Sequence, residues 1–75
     1  MPHVSVKLYA GQSDDAKQRL VEAVAAAVRA TVGSSDASIS VSVEDIEPAQ
    51  WREVYHRDIA GNPHLKKAPG YPPPP

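Results

Sequence analysis

Proline at position 2 is the residue from which chemistry can start in this chain of 75 residues. Initiator methionine is commonly removed when the second residue is small, and proline qualifies. Removal leaves the Pro2 nitrogen as a free secondary amine, and a strand begins immediately after it. A terminal amine is ordinarily frayed and solvated; one held by a strand is fixed, and its ring fixes the lone-pair direction. An α-amino group ionises at about pH 8. Apolar walls around it disfavour the ammonium and bring it toward the range in which a base works at neutral pH. Trp51, the sole tryptophan, is among the apolar side chains able to form such a wall. Anchoring the second helix on the core or at a subunit boundary is an equally good and compatible role for it.

The other titratable residues form no competing site. His3, His56 and His64 lack a recognisable metal-ligand spacing, so no metal is expected. There is no glycine-rich phosphate loop and no Ser-His-Asp arrangement, and no cofactor is expected. Arg52, Arg57, Lys66, Lys67, His56 and His64 offer positive charge, read mainly as a solvated helix face and a basic tail. The formal net charge is −1 with both signs interspersed, which argues against nucleic acid or an anionic membrane as partner. With no apolar leader and no run of spanning length, the expected location is the cytoplasm.

The elements that must hold Pro2 are legible in order. Val4, Val6 and Leu8 alternate with His3, Ser5, Lys7 and Tyr9, the period of a strand with one buried face. Ala10, Gly11 and Gln12 form a loop, and Ser13 is a good N-cap with Asp14 and Asp15 in the first turn. Apolar residues 20, 21, 24, 27, 28 and 32 recur at helical spacing, and Gly33 suits a left-handed C-terminal cap. Residues 38–44 alternate again, with Ile39, Val41 and Val43 on one face. A strand, a long helix and a strand in so short a chain predict an α/β fold: a βαβ unit whose two strands run parallel through a crossover. The sheet face bearing Ser5, Lys7, Tyr9, Ser40 and Ser42 is expected to be solvated or lightly covered. A short second helix is predicted over 48–59, with Trp51, Val54, Tyr55 and Ile59 on one face. The division expected is a domain of residues 1–61 and a basic, then proline-rich, extended or disordered tail of residues 62–75.

Two parallel strands are not stable alone and leave open edges, and there is no cysteine to supply a disulfide. A homodimer with a four-stranded sheet and two helices on one side is therefore expected.

A second-position proline opening a βαβ unit of this size, with Gly11-Gln12-Ser13-Asp14-Asp15 before the helix, resembles the 4-oxalocrotonate tautomerase superfamily. Lys66-Lys67-Ala68-Pro69-Gly70-Tyr71 makes the likeness closest to its small dimeric tautomerases. The resemblance implies a cofactor-free tautomerase in which the Pro2 amine is the general base, moving a proton between carbon and oxygen of a small enol or 2-oxo acid. It also implies substrate-binding roles for Trp51 as pocket wall and for Gln12 and Ser40, which occupy the positions of two arginines in the hexameric members. Alternatives are another proline-dependent reaction of the superfamily (hydration, dehalogenation or decarboxylation) or a non-catalytic dimeric module whose proline tail docks a partner.

Overall fold

A computed structural model describes all residues, 1–75, and shows the βαβ unit. Strand β1 (His3–Tyr9) is followed by helix α1 (Asp14–Val32) and strand β2 (Ser40–Ile46). The strands pair in parallel, with His3 opposite Ser40 and Tyr9 opposite Ile46. One face of this sheet presents Val4, Val6, Leu8, Val41 and Val43, all half-buried beneath α1.

Helix α1 begins and ends on local signals. The Ser13 hydroxyl accepts a hydrogen bond from the Ala16 amide at 3.1 Å, and Gly33 caps the other end at φ 74°. That left-handed conformation is cheap only without a Cβ. The inward stripe is Leu20, Val21, Val24 and Val28, extended by Ala16, Lys17 and Ala25. Lys17 reaches Asp45 at 3.0 Å at the sheet's end. Ala27 and Val32, expected on the stripe, are exposed, Val32 by 67%. The helix runs roughly 28 Å against roughly 23 Å for a seven-residue strand, so its last turn overhangs the sheet.

Strand β2 starts two residues later than the alternation predicts and ends two later. Asp36–Ser38 is a 3-10 turn instead. It is held by Ser38 N–H and Oγ–H donating to the Ser35 carbonyl at 3.1 and 2.7 Å, and by an Arg29–Asp36 ion pair. At the far end the Ala10 amide donates to the Ile46 carbonyl at 3.0 Å, which carries the ladder past Glu44.

The second sheet face carries the residues after β2. It is lightly covered, as expected: Ser5, Tyr9, Ser40 and Ser42 stay exposed, while the residues after β2 reach over Lys7 and half-bury it. Three helical geometries run on without a break: a 3-10 turn (Pro48–Gln50), α2 (Trp51–Val54) and a π-helical turn (Tyr55–Ala60). The expected single helix thus changes its hydrogen-bonding pattern twice while keeping Trp51, Val54, Tyr55 and Ile59 inward. Asp58, seven residues after Trp51 and four after Val54, lies on that face as well and pairs with Lys7 of β1. Gly61 closes the turn by donating to the His56 carbonyl at 3.1 Å, and a Cβ there would lie 2.8 Å from that oxygen. Only Ile46 and Val54 are buried, at 8% and 4% exposure.

Beyond Gly61 there is no further helix or strand. Asn62 turns the chain, its amide donating to the Asp58 carbonyl and its side-chain oxygen accepting from the His64 N–H. The tail then comes back to Trp51, where the indole N–H donates to the Tyr71 hydroxyl at 2.8 Å.

Candidate active site

The four residues singled out from sequence fall into two pairs at opposite ends of β1. Pro2 and Ser40 meet at its start. The Ser40 amide donates to the Pro2 carbonyl at 3.1 Å, which extends the ladder one residue ahead of the strand and fixes the proline ring. Pro2 is half-buried, whereas Met1 is wholly exposed and adds no packing to the fold. The Ser40 hydroxyl lies 2.7 Å from Nδ1 of His3, a residue that the strand pattern left unremarked.

Trp51 and Gln12 lie at the other end, roughly 20 Å away by strand rise. Gln12 is exposed in the loop after β1 and borders a hollow of about 230 Å³ with Leu8, Ala16, Lys17 and Leu20. Trp51 stands edge-on to Tyr9, ring centroids 5.3 Å apart at 86°. Tyr71 adds a third ring and lies 5.8 Å from Tyr55. All three tyrosines and the one tryptophan are thus gathered in one cluster.

A cavity of about 620 Å³ opens beside that cluster, lined by Lys7, Leu8, Tyr9, Trp51, Tyr71, Pro72 and Pro74. Its volume falls in the range of small-molecule sites. Sequence patterning passed over most of this lining. Lys7 reads as an ordinary outward strand residue, and Tyr71, Pro72 and Pro74 sit in a segment whose composition signals no packing. The lone tyrosine in that proline-rich stretch was the available clue.

Lys7 is the only ionic group in the lining, and its partner Asp58 comes from the π turn. The hydrogen bond from the Lys7 ammonium holds the Asp58 carboxyl below the usual carboxylate range, against the opposing effect of burial, with Arg57 adding to the lowering. At neutral pH the carboxylate is therefore ionised.

One end of β1 thus presents Pro2 with Ser40 and His3 beside it, and the other an apolar cavity with one cation. Proline at position 2 opens the βαβ unit. The sequence profile of the tautomerase family, described as tautomerase enzyme, matches residues 2–52, and the chain belongs to that family. It is an isomerase of the tautomerase kind. Tautomerase PptA of Pectobacterium carotovorum subsp. carotovorum is 37% identical, over 95% of this chain and 97% of the relative. The 2-hydroxymuconate tautomerase of Bacillus subtilis is 44% identical, over 61% of this chain and 74% of the relative. Among solved structures, TomN, a 4-oxalocrotonate tautomerase homologue of the tomaymycin biosynthetic pathway, superposes with a TM-score of 0.65 at 34% identity. That match covers 67% of this chain and 77% of TomN. No helix is long and apolar enough to cross a membrane.

Proposed function

We propose that, once Met1 is removed, the Pro2 amine is the general base of a cofactor-free tautomerase acting on a small enol or 2-oxo acid in the cytoplasm. The base takes a proton from the enol hydroxyl or the carbon next to the carbonyl and returns it at the other position. No net proton is consumed. A secondary amine locked by its ring and by the Ser40 amide needs little reorganisation to do this. The reaction named for the Bacillus subtilis relative, on 2-hydroxymuconate, supports an unsaturated hydroxy acid as the substrate class.

The observation that carries this reading is the split of Pro2 and Ser40 from Trp51 and Gln12. A homodimer reunites them. Antiparallel pairing of the free edge of β1 with its copy, centred on Val6, sets His3 opposite the partner's Tyr9. The partner's Trp51 and cavity then stand next to Pro2. The free edge of β2 is less suited, because Glu44 and Asp45 are exposed and would approach their own copies. Dimerisation also explains the thin core. The accessible surface is 5537 Å², while a compact monomer of this mass exposes about 4,450 Å². Part of the excess is the extended tail, and the rest is on the scale of one partner's share of a stable interface, about 800 Å².

Two experiments test the reading. Ketonisation of a 2-hydroxydienoic acid by the processed protein is compared with that by Pro2→Ala, which keeps a terminal amine but loses the ring. The rate is expected to fall at least about a hundredfold, the lower end for a general base; equal rates remove Pro2 from the mechanism. Mixed dimers of Pro2→Ala with Trp51→Ala then report on the shared site. If each site draws on both chains, one site per mixed dimer is intact, and half the wild-type rate returns with the wild-type KM. A mixed dimer with only the KM of Trp51→Ala refutes the shared site.

A further inference from the structure

The cavity wall carries one positive charge, the Lys7 ammonium. We propose that Lys7 is the carboxylate anchor of this cavity, which takes a small carboxylate bearing an aromatic or other apolar group. Asp58 is the positioning residue that holds the ammonium at the cavity wall. The inference rests on the tautomerase reading, since the acid bound here is the substrate brought to the partner's Pro2.

The lining separates by chemistry. Leu8, Tyr9, Trp51, Tyr71, Pro72 and Pro74 provide apolar and aromatic walls, and Lys7 is the single charged group. No carboxylate lines the cavity to repel an acid. Ring faces and proline edges accept a flat apolar group, and Lys7 at one side accepts the carboxylate.

Lys7 is placed to serve. Its side chain is 23% exposed, so its charge is partly screened from bulk water, and it borders both this cavity and a smaller one shared with Ser5, Trp51, Val54, Asp58 and Ile59. An ammonium has three donors. One goes to Asp58, and two remain. Asp58 does not cancel the attraction, because Arg57 stands 3.5 Å from its other oxygen. Lys7, Asp58 and Arg57 together carry one net positive charge. Glu44 lies opposite Lys7 in the sheet register but is exposed and makes no ion pair with it.

A lysine stem is flexible and its charge is a point rather than a fork. A fixed partner removes much of that freedom before the acid arrives.

Trp51 is the only tryptophan and lines the cavity, so its fluorescence reports occupancy without turnover. The full chain is titrated with 3-phenylpropionate and with its amide, with calorimetry as a second readout. The acid is expected to give a saturable change in Trp51 emission and to bind about tenfold or more tighter than the amide, the scale of one charge-assisted hydrogen bond. Lys7→Met is expected to abolish that preference while weak binding of both compounds persists, and Lys7→Arg to keep it. Lys7→Met leaves Asp58 without its partner, so Lys7→Met/Asp58→Asn, which removes both charges, is measured beside it.

Equal binding of acid and amide by the wild type overturns the proposal, as does a preference that survives in the double variant. Neither heat nor emission change at millimolar acid also overturns it. Because 3-phenylpropionate does not tautomerise, these results are independent of Pro2. Loss of rate in Pro2→Ala with no acid preference refutes the anchor alone, and full rate in Pro2→Ala with a clear preference refutes the base alone.

Discussion

The Trp51 indole N–H donates to the Tyr71 hydroxyl at 2.8 Å, and this bond joins the proline-rich tail to the second helical segment. It places Pro72 and Pro74 on the cavity wall, so two residues of the segment that composition reads as extended or disordered line the cavity. The same bond weakens the reading of the tail as a docking arm, since the tyrosine next to the prolines is already engaged within the chain.

Ending the chain after Gly70 is therefore expected to leave the βαβ unit folded by circular dichroism while exposing Trp51. Its emission should move to the red and become more accessible to acrylamide. Tyr71→Phe keeps the ring and loses only the hydrogen bond, for about 1 kcal/mol. Unchanged Trp51 emission in the shortened chain contradicts the seated tail.

Asp58 makes stability depend on acid pH in a defined direction. Its carboxyl is held below the usual range by Lys7, so the folded state takes up that proton less readily than the unfolded one. The contribution is full above the ordinary carboxylate range and is lost as pH falls through the folded pKa. Asp58→Asn is expected to melt lower than the wild type at neutral pH and to converge with it under acid conditions. Thermal melts across that range check this; parallel curves mean that the Lys7–Asp58 pair adds nothing to stability.

Ser13→Ala removes the hydroxyl that accepts from the Ala16 amide, and is expected to cost about 1 kcal/mol. For a chain of this size that lowers Tm by about 4–8 °C. The comparison is made at one protein concentration, because association shifts Tm as well. Ser13→Gly should cost only a few tenths of a kcal/mol. Equal losses from the two substitutions locate the effect outside the cap.

The parts of the fold that follow from neighbours in sequence were legible. Alternation set the inward faces of both strands, and Ser13 and Gly33 marked the ends of α1. The start of β2 was not, because Ser34, Ser35, Ser38, Ser40 and Ser42 suit a turn and an exposed strand face equally well. The ion pair and turn bonds at Asp36 and Ser38 decided it. Lys7 was passed over for a related reason: period-two patterning says which face a side chain takes, and a later segment determines whether that face is open. Pro2 and Trp51 were each identifiable by type. Their separation along β1 was not, since it depends on which strand end the second helical segment reaches.

The last expectation concerns assembly. With α1 on one sheet face and the segment from Pro48 to Ala60 over part of the other, the strand edges are the most open route for a second copy. Pairing two identical β1 edges antiparallel is self-complementary and closes after one step. The sheet then ends on both sides at β2, where exposed Glu44 and Asp45 oppose further strand addition. Stacking dimers through the second sheet face would require Trp51, Val54 and Asp58 to leave it, uncovering Ile46 and breaking the Lys7–Asp58 pair. Sedimentation equilibrium at micromolar concentration should thus give twice the chain mass of 8.0 kDa and not six times. Ser5→Lys should shift the protein toward monomer, because Ser5 is exposed and, in a pairing centred on Val6, the added charge would meet the Lys7 of the second copy. A monomeric wild type, or a Ser5→Lys protein that stays fully dimeric, rules out the β1 edge as the interface.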